Sequence, residues 1–208
     1  MVSPENTSGY LVPRQPLRHS LTVVNSRFVS SIRRVDSVKA ARAGLGAIRA
    51  ELSDASHHVY AFRVGHGKSV TEGMSDDGEP SGTAGPPVLA VLRGSGIGDI
   101  LVVVTRYFGG TKLGTGGLVR AYSEAARQGL ARLQTERKID RHMLGFEVSY
   151  ALYEQASQLV TQFDGEITET DFSGTVTIYA RFPVAGSPAF ALALRELSAG
   201  RSEVILLD

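Results

Sequence analysis

The sequence contains no cysteine. That absence removes disulfides, thiolate nucleophiles and thiolate metal sites together, and it fits a cytoplasmic location. Long apolar runs are missing too. The longest, around 88–92 and 100–104, fall far short of the roughly 18 residues that a membrane helix requires, so no membrane partner is expected. The first residues, MVSPENTSGYLVP, have neither a basic start nor an apolar stretch behind it, and no secretory signal is read there. Nucleotide signatures are lacking as well. There is no G-x-x-x-x-G-K-[ST], and Gly114-Thr115-Gly116-Gly117 does not satisfy G-x-G-x-x-G. Finally, there is little net charge, only +1.

That small charge hides an asymmetry. Residues 1–140 carry 18 basic against 12 acidic side chains, whereas residues 141–208 carry 4 against 9. A chain divided in this way predicts an acidic or nucleic-acid partner for its first part. Glycine is also uneven: 14 of the 23 lie between residues 65 and 117. Gly is used where the backbone turns through positive φ or approaches something closely, so function is sought in that window. At 42% hydrophobic and 21% charged, the 208 residues can bury a sizeable core.

Periodicity predicts two strands over 16–34 meeting near Asn25-Ser26, then a helix capped by Asp36 with Val38, Ala41, Leu45, Ile48 and Leu52 inward. HHVYAFRV (57–64) reads as a strand and 65–85 as a long polar loop. Pro86-Pro87 opens a short helix that Gly94 can end, and 100–105 reads as a central buried strand. A Gly-rich loop follows to Gly117, then an amphipathic helix from Leu118 to about Leu133. TERKIDR (135–141) is charged and aperiodic, the best linker. Beyond it the order is β-α-β-β-α-β, with a hairpin at Ser173-Gly174 and a Ser187/Pro188 helix start before a helix that ends at Gly200. That order is ferredoxin-like. The expected class is α+β with two domains, 1–135 and 142–208, joined by a linker at 136–141.

Three constellations carry chemistry. SDDGEPSGTAGPP (75–87) gathers Asp76, Asp77 and Glu79 before a helix start. Three carboxylates could hold Mg²⁺, or instead satisfy loop amides, while the Gly82–Gly85 turn could bind an anion. TRYFGGTKLGTGGLVRAY (105–122) runs from a strand through glycines into a helix, with Arg106, Lys112 and Arg120 placed to meet phosphates and Tyr107 to stack on a base. The competing reading is a tight turn in which Arg106 pairs with Asp77 or Glu79. His57-His58 face opposite sides of a strand, which does not suit a shared metal, so they form at most a polar site. No catalytic residue and no metal ligand is assigned.

These blocks are recognisable. HHVYAF (57–62), SDDGEPSGTAG (75–85) and RYFGGTKLGTGGLVRAY (106–122), with SRF (26–28) before them, resemble the signature blocks of the IMPACT protein family, bacterial branch. The resemblance implies an N-terminal ribosomal-protein-like βαβ domain similar to the fourth domain of elongation factor G. The C-terminal domain is similar to the fifth. Eukaryotic members regulate translation under amino-acid stress by competing for a protein partner of a kinase. By position, Arg106, Tyr107, Lys112, Gly114, Thr115, Gly116, Gly117 and Arg120 would form the binding surface, with Asp76, Asp77 and Glu79 beside it. One position departs: Pro86 stands where family members often carry a basic residue.

The expected function is therefore a non-enzymatic translation regulator that needs no cofactor and binds RNA or the ribosome through its basic Gly-rich face. A protein partner is the third option. The alternative is a phosphate- or nucleotide-handling enzyme whose acidic triplet holds Mg²⁺.

Overall fold

Strands and helices of the N-terminal unit, Tyr10–Lys138, are arranged around one apolar strand. The computed structural model describes residues 9–67 and 69–207, so the segment read for a secretory signal lies outside it as far as residue 8. Strands β2 (Leu17–Val23) and β3 (Ser26–Arg34) form a hairpin, and α1 (Val38–Glu51) follows. The other elements of the main sheet and its covering helices are β4 (His57–His66), β5 (Ser69–Ser75), α2 (Gly85–Gly94), β6 (Ile100–Tyr107) and α3 (Gly114–Ala131). The five strands lie in the order β2-β3-β6-β4-β5, each antiparallel to its neighbours.

Strand β6 is central and covered on both faces. Leu101 and Val103 pack on Ala41, Leu45 and Ile48 of α1, while Ile100, Val102 and Val104 pack on α2 and α3. This explains its unbroken apolar run. Two crossovers, β3–α1–β4 and β5–α2–β6, skip one strand each, run in opposite directions across the sheet and use opposite faces. Reversing the strand direction and the direction of travel preserves hand, and changing face inverts it. One crossover is therefore left-handed, against the strong right-handed bias of such units.

Several local expectations are corrected. The predicted loop 65–85 contains β5, paired with β4 from Tyr60↔Ser75 to His66↔Ser69. Its signal was hidden by Gly73, which makes room for the Phe62 ring: a Cβ there would lie 2.4 Å from it. Helix α1 is capped by Ser37, whose Oγ accepts from the Ala40 N–H, and not by Asp36. Helix α3 begins at Gly114, four residues before Leu118, because glycine masks the helical period. The expected linker is a strand, β7 (Thr135–Ile139), which pairs with β1 (Gly9–Pro13), and Arg141 already belongs to the next strand. Its charge misled: Lys138 reaches buried Asp99, which also accepts from Tyr10 Oη at 2.9 Å and Gly65 N at 2.8 Å. Burial raises the Asp99 pKa, but Lys138, the Gly65 amide and Tyr10 outweigh it and hold the carboxyl below its ordinary value.

The second unit, beginning at Ile139, contains β8 (Arg141–Val148), a 3₁₀ turn, α4 (Tyr153–Gln162), β9 (Glu166–Phe172), β10 (Val176–Pro183), α5 (Ser187–Leu197) and β11 (Val204–Leu207). Its sheet order is β11-β8-β10-β9, all antiparallel, with Phe146, Ile178 and Phe182 packed against Phe190 and Leu194 of α5. This is the ferredoxin-like arrangement. Ser187 is the first residue of α5, not its cap, and its Oγ donates to Val184 O. The helix ends at Leu197; Ala199 and Gly200, both at positive φ, turn the chain out of it. No helix among the described residues is long and apolar enough to cross a membrane.

Candidate functional site

All the residues singled out above lie in the N-terminal unit, near the segments that follow β5 and β6. The acidic loop is built from its backbone outward. Asp76 Oδ2 accepts from Gly82 N at 2.9 Å, and its Oδ1 accepts from Ala84 N at 2.9 Å and Gly85 N at 2.8 Å. Burial raises its pKa, yet the three amides prevail and hold the carboxyl low. Asp76 therefore occupies the α2 N-terminus from within the chain. The anion expected at the Gly82–Gly85 turn has no free amides to meet there, which is the correction to that reading.

Asp77, at φ +47°, pins the loop to β4. Its Oδ2 accepts from His58 N at 2.6 Å, its Oδ1 pairs with Arg49, and its carbonyl accepts from His57 Nδ1 at 2.8 Å. A carbonyl can only accept, so the His57 proton sits on Nδ1, and Nε2 faces Glu79 at 3.9 Å. His58 is buried, with Nδ1 3.2 Å from Thr105 Oγ1, and burial lowers its pKa despite the nearby Asp77 charge. The two histidines share no ligand position.

Glu79 is the buried acid of the loop. Its Oε1 accepts from Arg106 Nη1 at 2.8 Å and from Tyr122 Oη at 2.7 Å. Both side chains of the Glu79–Arg106 pair are almost fully buried, 4% and 6% exposed. Burial and the adjacent carboxylate raise the Tyr122 pKa well above a free phenol's, so its hydroxyl stays a donor. The three carboxylates thus face three different sets of partners. They do not converge, and no group of three such side chains among the described residues is arranged to hold a metal ion. The Mg²⁺ triplet of the enzyme alternative finds no geometric support.

Strand β6 extends through Arg106 and Tyr107, so Arg106 lies inside the strand instead of leaving its end. The guanidinium also donates to Ser26 Oγ at 3.3 Å, and its Nε–H has no acceptor among the described residues. Tyr107 is held as well: Arg27 lies 4.1 Å from its ring centroid and its hydroxyl reaches Asp54 at 3.2 Å. Phe108, one residue on and not among the expected residues, is 49% exposed. Only 108–113 remain as loop before α3, so Gly114, Thr115, Gly116 and Gly117 form the helix's first turn and Arg120 lies in its second.

The entrance of α3 contrasts with that of α2. Leu113 at the N-cap makes no side-chain bond to the first turn, and the turn has no acidic residue. It opens on a cleft of about 340 Å³ that Arg106, Phe108, Lys112 and Leu113 also line. Lys112 and Arg120 are exposed and form no ion pair among the described residues. Uncapped amides, the positive end of the helix dipole and a free ammonium make a site suited to an oxyanion. Sequence reasoning missed Tyr122, whose helical spacing marked it only as core, and Phe108, which had no signal beyond its place beside Tyr107.

Comparison with known proteins gives two family matches. The Impact N-terminal domain model matches residues 24–130, and a domain of unknown function, DUF1949, matches residues 146–201. The chain is 38% identical over 201 residues to the IMPACT family member YigZ of Escherichia coli (strain K12), covering 96% of this chain and 98% of the relative. An IMPACT family member of Haemophilus influenzae is 36% identical over 200 residues (96% and 97%), and YvyE of Bacillus subtilis (strain 168) is 31% identical over 197 (94% and 90%). A crystal structure of a hypothetical protein superposes with a TM-score of 0.69 at 38% identity, covering 96% of this chain and 98% of that one.

Proposed function

The chain belongs to the IMPACT family, and on that premise we propose that it is a non-enzymatic, translation-associated regulator that binds RNA through its N-terminal unit. The observation that carries this reading is the uncapped entrance of α3 beside exposed Lys112. Backbone amides at a helix start bind phosphate oxygens without reading a base, which is what RNA backbone contact requires. Arg120, exposed on the second turn of the same helix, extends the positive surface. The excess of basic over acidic residues in 1–140 adds long-range attraction for a polyanion.

The roles of the cations divide by burial. Arg106 is committed to Glu79 and supports the cleft, so its removal would unfold the loop before it tested binding. Lys112 and Arg120 bear no such load. Salt titration of RNA affinity is the test: Lys112→Ala and Arg120→Ala should each weaken binding and reduce the log–log salt slope by about 1. Co-sedimentation with ribosomes at low salt and release at high salt should follow the same order. Unchanged slopes in both variants, or no binding of RNA by the wild type at low salt, would remove this reading.

A further inference from the structure

We propose that the cleft at the entrance of α3 is a single-nucleotide subsite for unpaired RNA, with one phosphate on the α3 amides beside Lys112 and the base on the ring of Phe108. The inference rests on the RNA-binding reading above and narrows it to single strands.

Two observations support the phosphate half. The first-turn amides of α3 lack the acid that closes α2. Arg106, only 5% exposed, lines the same cleft with an Nε–H that no described residue accepts. Its other two nitrogens are spent on Glu79 and Ser26, so Nε–H is the one nitrogen of that guanidinium left over among the described residues.

The base half rests on the wall of the cleft. A site for phosphate alone has no use for apolar lining, yet Pro80, Phe108, Leu113 and Leu118 supply it. Phe108 presents half its surface to solvent, and the Arg106 guanidinium lies 5.4 Å from its ring centroid. The negative charge of Glu79 is met there by Arg106 and by the Tyr122 hydroxyl, so the buried pair adds no net charge to repel a phosphate. Aromatic rings bind bases of any sequence through the π-face, but only where the bases are unstacked. In A-form duplex those faces are covered by neighbouring pairs.

Fluorescence anisotropy with end-labelled oligouridine, the same strand annealed to oligoadenine, and unlabelled UMP as competitor tests the proposal on the full chain. The wild type should hold the single strand more tightly than the duplex. Phe108→Ala should lose about tenfold in affinity for the single strand with its salt slope unchanged, because stacking releases no counterions, and Phe108→Trp should restore it. Lys112→Ala should lower the slope instead. Phe108 is half exposed, so circular dichroism of the Ala variant should match the wild type. Full displacement of the strand by UMP near the strand's own concentration would make this a site for a free nucleotide and overturn its assignment to RNA. Equal affinity for single strand and duplex, or unchanged affinity in Phe108→Ala, overturns the subsite. If that happens while Lys112→Ala still reduces the slope, the RNA-binding reading stands without the subsite. If the wild type binds neither strand, both fall.

Discussion

Replacing Gly116 by alanine should raise stability and leave binding unchanged. Its φ lies outside the left-handed region and a Cβ would find open space, so Ala adds no clash and restricts the unfolded chain. Gly→Ala changes of that kind stabilise by about 0.4–1 kcal/mol, and a first-turn position argues for about 0.5 kcal/mol. In a unit of this size that is roughly 2 °C in Tm. The same methyl group lies outside the cleft, whose α3 residues are Gly114, Thr115 and Leu118, so affinity for single-stranded RNA should not change. Two neighbours provide the contrast. Gly114 has φ +70°, so Gly114→Ala should destabilise by about 1 kcal/mol. Gly117→Ala would bring a Cβ within 3.0 Å of Leu113 Cβ and should also destabilise. Urea unfolding and RNA anisotropy on the three variants read both effects. A Gly116→Ala variant no more stable than the wild type would refute the argument that neither backbone conformation nor packing requires glycine there, and a loss of RNA affinity would show that position 116 does face the ligand.

Other perturbations test the scaffold around the cleft. Asp76→Ala should cost about 2–3 kcal/mol at pH 7, since three amides lose a charged acceptor. The folded-state pKa of Asp76 is depressed, so its contribution is complete above the unfolded value of about 3.9 and is lost as pH falls through the lower folded value. The gap between wild type and variant in urea midpoints should therefore close below about pH 4, and a gap independent of pH would exclude the charge as its source. Arg106→Ala should cost about 3–5 kcal/mol by leaving Glu79 buried and unpaired, whereas Tyr122→Phe, which removes one neutral donor, should cost about 1–2 kcal/mol. Equal unfolding free energies for these two would contradict the assignment of the pair. Asp99→Asn keeps a residue tolerant of φ +49° but loses the Lys138 ion pair, and hydrogen exchange should show β1 and β7 losing protection before the main sheet does.

What the sequence revealed followed how strongly each segment's chemistry reports its surroundings. The run Ile100–Val104 announced a strand covered on both sides, and the C-terminal succession of elements announced its own topology. Segments whose structure depends on partners far along the chain were opaque. Strand β5 reads as loop because Gly73 makes room for Phe62, eleven residues away. Strand β7 reads as linker because Lys138 is neutralised by Asp99, 39 residues away. At the site, the glycine pattern located the α3 entrance, but residue type alone could not separate Tyr107, covered by Arg27, from Phe108, which is open. Nor could it show that Arg106 spends its charge on Glu79.

The two glycine-rich turns show why a motif alone does not make an anion site. Both lead into a helix, and both place several backbone N–H groups at the positive end of a dipole. At α2 the chain supplies its own anion: the Asp76 carboxylate lies on three of the amides and has its pKa lowered by them. At α3 the acid nearest the entrance, Glu79, is turned to Arg106 and Tyr122, and no side chain caps the first turn. The difference comes from where the acids of a single loop point. Asp76 and Asp77 close α2 and tie the loop to β4, which fixes Glu79 in the core. With Glu79 fixed there, Arg106 is drawn under Phe108 and not out toward solvent. The acidic loop thus acts as a positioning device for the basic one. It follows that mutations of Asp76 or Asp77 should alter the α3 entrance, although neither residue lines its cleft.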